Sequence, residues 1–289
     1  MPVLILKDSD DIAKKSGFNS AIITLCEGFD ELNYAYTFDI NSNFDVIIAN
    51  DYYNGNKGVE LKRKTGKPLI ASIHLSHPDM EKEKTLIDNC NGIITYSNIH
   101  ANCIVDCYRP NIPIKIVTLG INTNKWSYQT KVRESFVLFV GRLDVPAKAF
   151  SLFATKCLNE NIKLKVAGNG VLLENIIERK YMNNVELEEA YNTAQLHVLP
   201  SFFEPFGLVT LEAMACGCPV AVSKNSGVAE LLNNKIAILF DPYQPFSVKE
   251  FIGEAKHFDS NEIRDFAIQF NHINYAKSFI TAVNEIVNI

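Results

Sequence analysis

The run Pro200-Ser201-Phe202-Phe203-Glu204-Pro205-Phe206-Gly207-Leu208-Val209-Thr210-Leu211-Glu212-Ala213-Met214-Ala215-Cys216-Gly217-Cys218-Pro219 lies between two short apolar runs, 196–199 and 219–222. Continuous Val/Ile/Leu runs of this length suit strands buried on both faces, as in parallel sheets. Between them Leu208, Leu211, Met214 and Ala215 fall on one face at helical spacing, and Gly217 followed by Pro219 stops the helix. The stretch therefore reads as strand, helix, strand, with the helix opening near Phe206-Gly207.

The same alternation runs outward in both directions. Strand-like runs are read at 3–6, 21–25, 46–49, 69–73, 92–95 and 114–117, then at 136–140, 163–167, 196–199, 219–222 and 237–240. Helical patterns lie between them, for example at 82–89, 98–107 and 186–194. Strand–helix alternation of this kind predicts an α/β fold with parallel sheets. Eleven strands are many for one open sheet, and the polar stretch 122–134, with the single Trp126, is the best place to divide the chain. The expectation is two Rossmann-like domains, 1–128 and 129–265, with a C-terminal helix over 266–289 that crosses back to the first. From about residue 247 onward only helices are expected.

Composition narrows the class of partner. A net charge of −5 argues against nucleic acid, whose binders carry a basic surface. Lys62-Arg63-Lys64 with Lys67 leaves a peripheral contact with an anionic membrane open, although short charge runs usually mark a solvated helix face. No transmembrane helix is expected, because no run of about 18 apolar residues occurs. The N-terminal apolar run is too short for a signal peptide and reads as a first strand. Seven scattered cysteines, without partner pairs at zinc spacing, read as reduced thiols of a cytoplasmic protein, and no metal is expected.

In a parallel sheet, ligands bind outside the carboxyl ends of the strands. Three strand ends then gather chemistry in one place: Gly141-Arg142 after 136–140, Gly168-Asn169-Gly170 after 163–167, and 200–204 after 196–199. The helix that follows carries free N–H groups and the positive end of its macrodipole, which predicts an anion at Phe206, Gly207, Leu208 and Val209. Glu204 and Glu212 are eight residues apart, or roughly 12 Å along a helix, too far to work one bond as an acid/base pair. That spacing matches two ends of a sugar nucleotide, one carboxylate for the sugar and one for the ribose diol. The plainer reading makes Glu212 a buried, hydrogen-bonded helix residue and Glu204 a loop charge. Arg142 and Lys148 supply a fork and a point charge suited to a diphosphate; alternatively they are surface cations, one of them paired with Asp144. Gly168-Asn169-Gly170 alone is also what an ordinary turn after a strand looks like.

At these residues the chain resembles the retaining glycosyltransferases of the GT-B fold, glycosyl transferases group 1, the large family that includes glycogen, sucrose-phosphate and phosphatidylinositol-mannosyl transferases. The similar segments are FVLFVGRLDVPAK (136–148), KLKVAGNG (163–170), 186–223 with its Glu-x7-Glu helix, and SGVAELL (226–232). The resemblance implies two parallel-sheet domains facing a central cleft. It implies that Glu204 contacts donor-sugar hydroxyls with backbone N–H groups near Phe206, Gly207 and Leu208, that Glu212 binds the ribose, and that Arg142 and Lys148 bind the diphosphate. Gly168 and Gly170 would give the nucleotide room. In the first half, LIASIH ends in His74, where the family often has a His facing the reacting sugar, and GIITYS ends in Ser97, where a cleft-facing Ser is common; TLGIN (118–122) is similar to the family's Asn-Gly-Val-Asp turn. A lone His after a strand is also often structural, and His77 is the neighbouring candidate. His197, inside a strand, reads as core. The chain departs from the family in having no Gly-rich loop after its first strand, Lys148-Ala149 in place of Lys-Gly, and a short segment between Gly170 and the 186–194 helix.

The implied activity is transfer of a hexosyl group from a UDP- or GDP-linked sugar to a glycan, lipid or protein hydroxyl, with retention, by a front-face reaction and without a cofactor. A non-catalytic sugar-nucleotide-binding subunit, and a GT-B epimerase or phosphorylase, are the alternatives.

Overall fold

The computed structural model describes residues 1–6, 17–74, 79–168 and 178–288. Two compact units emerge, residues 1–120 with 272–289, and residues 121–271.

In the first unit β1 (Val3–Leu6), α1 (Gly17–Glu31), β2 (Tyr36–Thr37), β3 (Val46–Asn50), α2 (Gly55–Thr65), β4 (Leu69–Ser72), α3 (Met80–Asn89), β5 (Gly92–Thr95), α4 (Asn98–Tyr108) and β6 (Ile114–Ile116) alternate. The sheet order is β2-β1-β3-β4-β5-β6, every pair parallel. Strands β1, β3, β4 and β5 are buried along their whole length, as continuous apolar runs require. The run 21–25, expected as a strand, lies inside α1. An apolar run of five cannot by itself separate a buried strand from a buried helix; here the run continues through Cys26 and Phe29, both buried, and helix is the form that buries such a length as one element.

The second unit holds β7 (Glu134–Val140), α5 (Phe150–Asn159), β8 (Leu164–Ala167), β9 (Glu178–Lys180), α6 (Asn184–Thr193), β10 (Ala194–Leu199), α7 (Leu208–Ala215), β11 (Val220–Ser223), β12 (Ile238–Phe240), α8 (Val248–Ala255) and α9 (Ser260–Ala267). Its sheet, again parallel throughout, runs β12-β11-β10-β7-β8-β9. The edge strands β2 (Tyr-Thr) and β9 (Glu-Arg-Lys) carry no Val/Ile/Leu run and so leave no strand pattern in the sequence. A core of Val137, Phe139, Phe150, Phe153, Leu196 and Val198 fills the space between the sheet and the helices that follow it. Arg133, just before β7, ties the ends of two helices together: it donates to the carbonyls of Tyr191, Asn192 and Ala194 at the end of α6 and of Gly217 after α7. Carbonyls at a helix end have no partner within the helix, and a guanidinium fork satisfies several at once.

The final helix, α10 (His272–Val287), belongs to the first unit and packs on α1. Gly28 permits the approach, since a Cβ there would stand 2.3 Å from the His272 carbonyl oxygen and 2.7 Å from the Ala276 Cβ. Phe29, Tyr275 and Phe279 are fully buried around this contact. Among the described residues no helix is long and apolar enough to cross a membrane.

Candidate active site

Parallel pairing of β10, β7 and β8 as neighbours brings their carboxyl ends side by side in the second unit. Gly141-Arg142 leaves β7, Gly168 leaves β8, and the loop 200–207 leaves β10. That loop is held by its backbone. The amides of Phe202 and Phe203 donate to the Ala147 carbonyl at 2.8 and 3.4 Å, Glu204 N–H donates to the Asn225 carbonyl at 3.1 Å, and Gly227 and Val228 donate back to the carbonyls of Glu204 and Phe206 at 2.9 and 2.7 Å. The loop is thus fixed between the turn carrying Lys148 and the short 3-10 turn Gly227–Leu231.

Glu204 is buried, and its carboxylate forms an ion pair with the Lys148 ammonium, itself only partly exposed. These two residues, 56 positions apart, are therefore one unit in the folded chain. Lys148 sits in the turn Pro146–Lys148, and Ala149 after it has φ 52° and ψ 27°, the left-handed conformation. That geometry explains why the resembling family places glycine there, and it strains an alanine. Arg142 stands apart from this pair. Its side chain is exposed and forks onto Asp144, Nε to Oδ1 at 3.1 Å and a terminal nitrogen to Oδ2 at 2.9 Å, which lowers the Asp144 pKa.

Gly207 precedes α7 with φ 102°, which only glycine adopts without strain, and a Cβ there would stand 2.7 Å from the Leu199 side chain. The backbone itself demands this glycine. Gly168 has a packing reason as well: a Cβ would fall 1.8 Å from the Gly141 carbonyl oxygen, so the ends of β7 and β8 touch through their glycines. Gly170 and His77 lie outside the described residues. Phe206 and Leu208 are buried at the start of α7, and Val209 is half-buried.

Three hydroxyls belong to this part of the chain: Ser201 in the loop, Thr210 in the first turn of α7 and Ser226 opposite Glu204. All are buried, and none of their oxygens has a hydrogen-bond partner among the described residues. The sequence reading passed over them because serine and threonine are unremarkable in loops. Further along α7, half-buried Glu212 receives a long 3.4 Å contact from the Tyr191 hydroxyl, and burial pushes its carboxyl up to about 7 against that contact's downward pull. Among the described residues no three His, Cys, Asp or Glu side chains gather as metal ligands.

His74 belongs to the first unit, just beyond β4. Its Nε2 lies 3.0 Å from Ser72 Oγ and 2.8 Å from the Tyr96 hydroxyl, and its backbone N–H donates to Asp51 at 2.7 Å. Burial, with a smaller contribution from His100, lowers its pKa to about 3. Ser97 caps α4, accepting from His100 N–H at 3.1 Å. His197 is wholly buried in β10, with Nδ1 3.2 Å from the Leu138 carbonyl.

Set against known proteins, residues 120–264 match the family model of glycosyl transferases group 1, half of the chain, and the chain belongs to that family. An uncharacterised glycosyltransferase of Methanocaldococcus jannaschii is 27% identical over 259 residues, covering 71% of this chain and 64% of the relative. Glycogen synthase of Mycobacterium tuberculosis is 24% identical over 225 residues, covering 66% and 54%. The chain thus spans 54 to 64% of the length of these curated relatives. Among solved structures, sucrose-phosphate synthase from Thermosynechococcus elongatus superimposes with a TM-score of 0.82 at 14% identity, over 98% of both chains. Anabaena HepE in complex with UDP-glucose gives 0.79 at 15%, over 99% of this chain and all of that one. The fold class is GT-B: two Rossmann-like units, each on a parallel sheet, with helices at the C-terminal end.

Proposed function

We propose that this chain transfers a hexosyl group from a nucleoside-diphosphate sugar to an acceptor hydroxyl, with retention of anomeric configuration. The observation that carries the reading is the Lys148–Glu204 pair at the start of α7. A diphosphate would draw Lys148 away from Glu204, with the α7 amides and Arg142 completing the charge, and would free the carboxylate to accept from sugar hydroxyls. Glu212 would accept from the ribose diol. In the reaction the sugar–phosphate bond breaks, the acceptor oxygen bonds to the anomeric carbon, and the acceptor proton leaves with the diphosphate. The residues assigned here stabilise the departing diphosphate and orient the donor, the larger part of the demand in such a transfer. His74 is assigned to the reacting sugar, and Gly170 to the nucleotide. The acceptor belongs to the glycan, lipid or protein hydroxyls.

HepE is described in complex with UDP-glucose, so UDP-glucose is the first donor to try, with GDP- and ADP-sugars beside it. Release of nucleoside diphosphate by the purified chain is the assay. Lys148→Ala and Arg142→Ala are each expected to lower turnover by about 10²-fold or more, with the circular dichroism spectrum unchanged. Wild-type turnover in both variants sinks the assignment.

A further inference from the structure

Glu212 on α7 carries a long side chain, and the side-chain hydrogen bond it receives among the described residues comes from α6: the Tyr191 hydroxyl donates to Oε2 at 3.4 Å. The Tyr191 ring is held on several sides. It is fully buried, with the Trp126 ring edge-on at 5.8 Å and 71° and the His197 ring edge-on at 5.7 Å and 87°. Edge-to-face packing of this kind fixes an aromatic plane. Trp126 is secured by the segment after it: Ser127 N–H donates to Glu188 at 2.7 Å, Gln129 N–H donates to Asn192 Oδ1 at 2.7 Å, and Asn192 Nδ2 donates to the Ser127 carbonyl at 2.9 Å. The Tyr191 carbonyl accepts from Arg133 at 2.8 Å. The phenol therefore stands at a fixed point beside a carboxylate that is only half-buried. A carboxylate has about four acceptor positions and a vicinal diol two donors, so one bond to a phenol leaves places for both hydroxyls.

We propose that Tyr191 is a positioning residue that aims the Glu212 carboxylate at the ribose diol of the donor nucleotide. The proposal rests on the reading of Glu212 as the ribose-binding group and adds the residue that orients it. A hydrogen bond this long biases the side chain rather than locking it, so its effect falls on nucleotide affinity, through preorganisation, and not on the bond-breaking step. The same bond favours the charged carboxylate, the better acceptor, against the burial that pushes Glu212 up to about 7. The neighbouring titratable groups do not replace it. Cys216 and Cys218 are thiols whose pKa burial raises, Glu188 faces the Ser127 amide, and Arg133 is engaged by carbonyls. Arg264 on α9, which also packs on α7, pairs with Asp265.

The test is isothermal titration of the whole chain with UDP and 2′,3′-dideoxy-UDP, with the matching GDP and ADP pairs beside them. Tyr191→Phe is expected to weaken the ribonucleotide about fivefold and to leave the dideoxy analogue within about twofold. In transfer, donor KM should rise by the same factor with kcat little changed. Equal weakening of both nucleotides would mark a purely structural role and overturn the proposal. A second measurement needs no tyrosine variant. The Tyr191 13Cζ resonance, assigned through its contact with the single tryptophan, is expected to titrate with Glu212 near pH 7 and to lose that step in Glu212→Gln. A Tyr191 signal indifferent to Glu212 overturns the proposal even where Tyr191→Phe does not fold. A wild-type chain that binds both nucleotides alike, or neither, removes the ribose from Glu212 and the proposal with it, while the Tyr191 step still reports whether the two side chains touch.

Discussion

Ala149 and Glu212 show how single residues carry costs that the site tolerates. Ala149 adopts φ 52°, where an L-residue with a Cβ is strained by roughly 1–2 kcal/mol, while glycine is not. Glycine costs part of that back through the unfolded chain. Ala149→Gly is therefore expected to stabilise the chain by about 0.5–1 kcal/mol, read as a rise in the denaturation midpoint; a fall would mean the buried Ala149 methyl contributes more than the strain. Burial disfavours the Glu212 carboxylate and pushes its pKa from the ordinary 4.5 up to about 7. A raised carboxyl pKa favours the folded state below the unfolded value and loses that advantage as pH rises through the folded value. The loss falls between about pH 4.5 and 7 and amounts to at most about 3 kcal/mol. His74 and His197, both lowered, titrate with the opposite slope over the acid part of that window. The measurement is therefore a difference: the stability of Glu212→Gln relative to wild type should rise steadily from pH 4.5 to 7 and then level off. A flat difference would show that Glu212 is ionised with a normal pKa.

At the scale of elements, two devices hold helices in place. Arg133 donates to four carbonyls at the ends of α6 and α7 and, at 3.2 Å, contacts the Ser260 hydroxyl. Removing it leaves several carbonyls without a partner, each costing about 1–3 kcal/mol where water cannot reach. Arg133→Ala is expected to destabilise the second unit by at least about 3 kcal/mol, and Arg133→Lys should recover only part, since an ammonium cannot fork over several acceptors. Equal stability of the Lys variant and wild type would count against the fork. In the first unit, the α1–α10 approach depends on Gly28, and a Cβ there would overlap the His272 carbonyl. Helix α7 itself is short, eight residues, and begins where Gly207 turns the chain through a left-handed step. Its start is built by the loop contacts on either side rather than by a side-chain cap.

Over the whole molecule, each unit repeats the same rule: a parallel sheet, with the residues assigned to the proposed function just beyond its strand ends. A donor bound to the native chain raises its stability in proportion to the logarithm of saturation, by about 2.7 kcal/mol at a hundredfold excess over Kd. With UDP-glucose or another accepted donor, hydrogen-exchange protection should concentrate in the second unit, after β7, β8 and β10 and across the first turn of α7. Donor-dependent stabilisation with no added protection in these segments would separate the binding site from the residues assigned to it.

The sequence by itself determined the α/β class, the strands β1, β3–β8 and β10–β12, and the limits of α7, because burial on both faces forces apolar runs and Gly and Pro stop helices locally. It also marked Glu204, Glu212, Arg142 and Lys148, which the proposed function assigns to the donor. It could not separate strand from helix at 21–25, where periodicity is the same for either buried element. Only the tertiary structure decided that Lys148 pairs with Glu204 while Arg142 pairs with Asp144, that Arg133 closes two helices, and that Ser72, Asp51 and Tyr96 surround His74. Apart from Arg142–Asp144 and Ser72–His74, each two positions apart, those contacts join neighbouring strands and loops whose residues lie up to 84 positions apart, and the register of a parallel sheet, not local sequence, brings them within hydrogen-bonding distance.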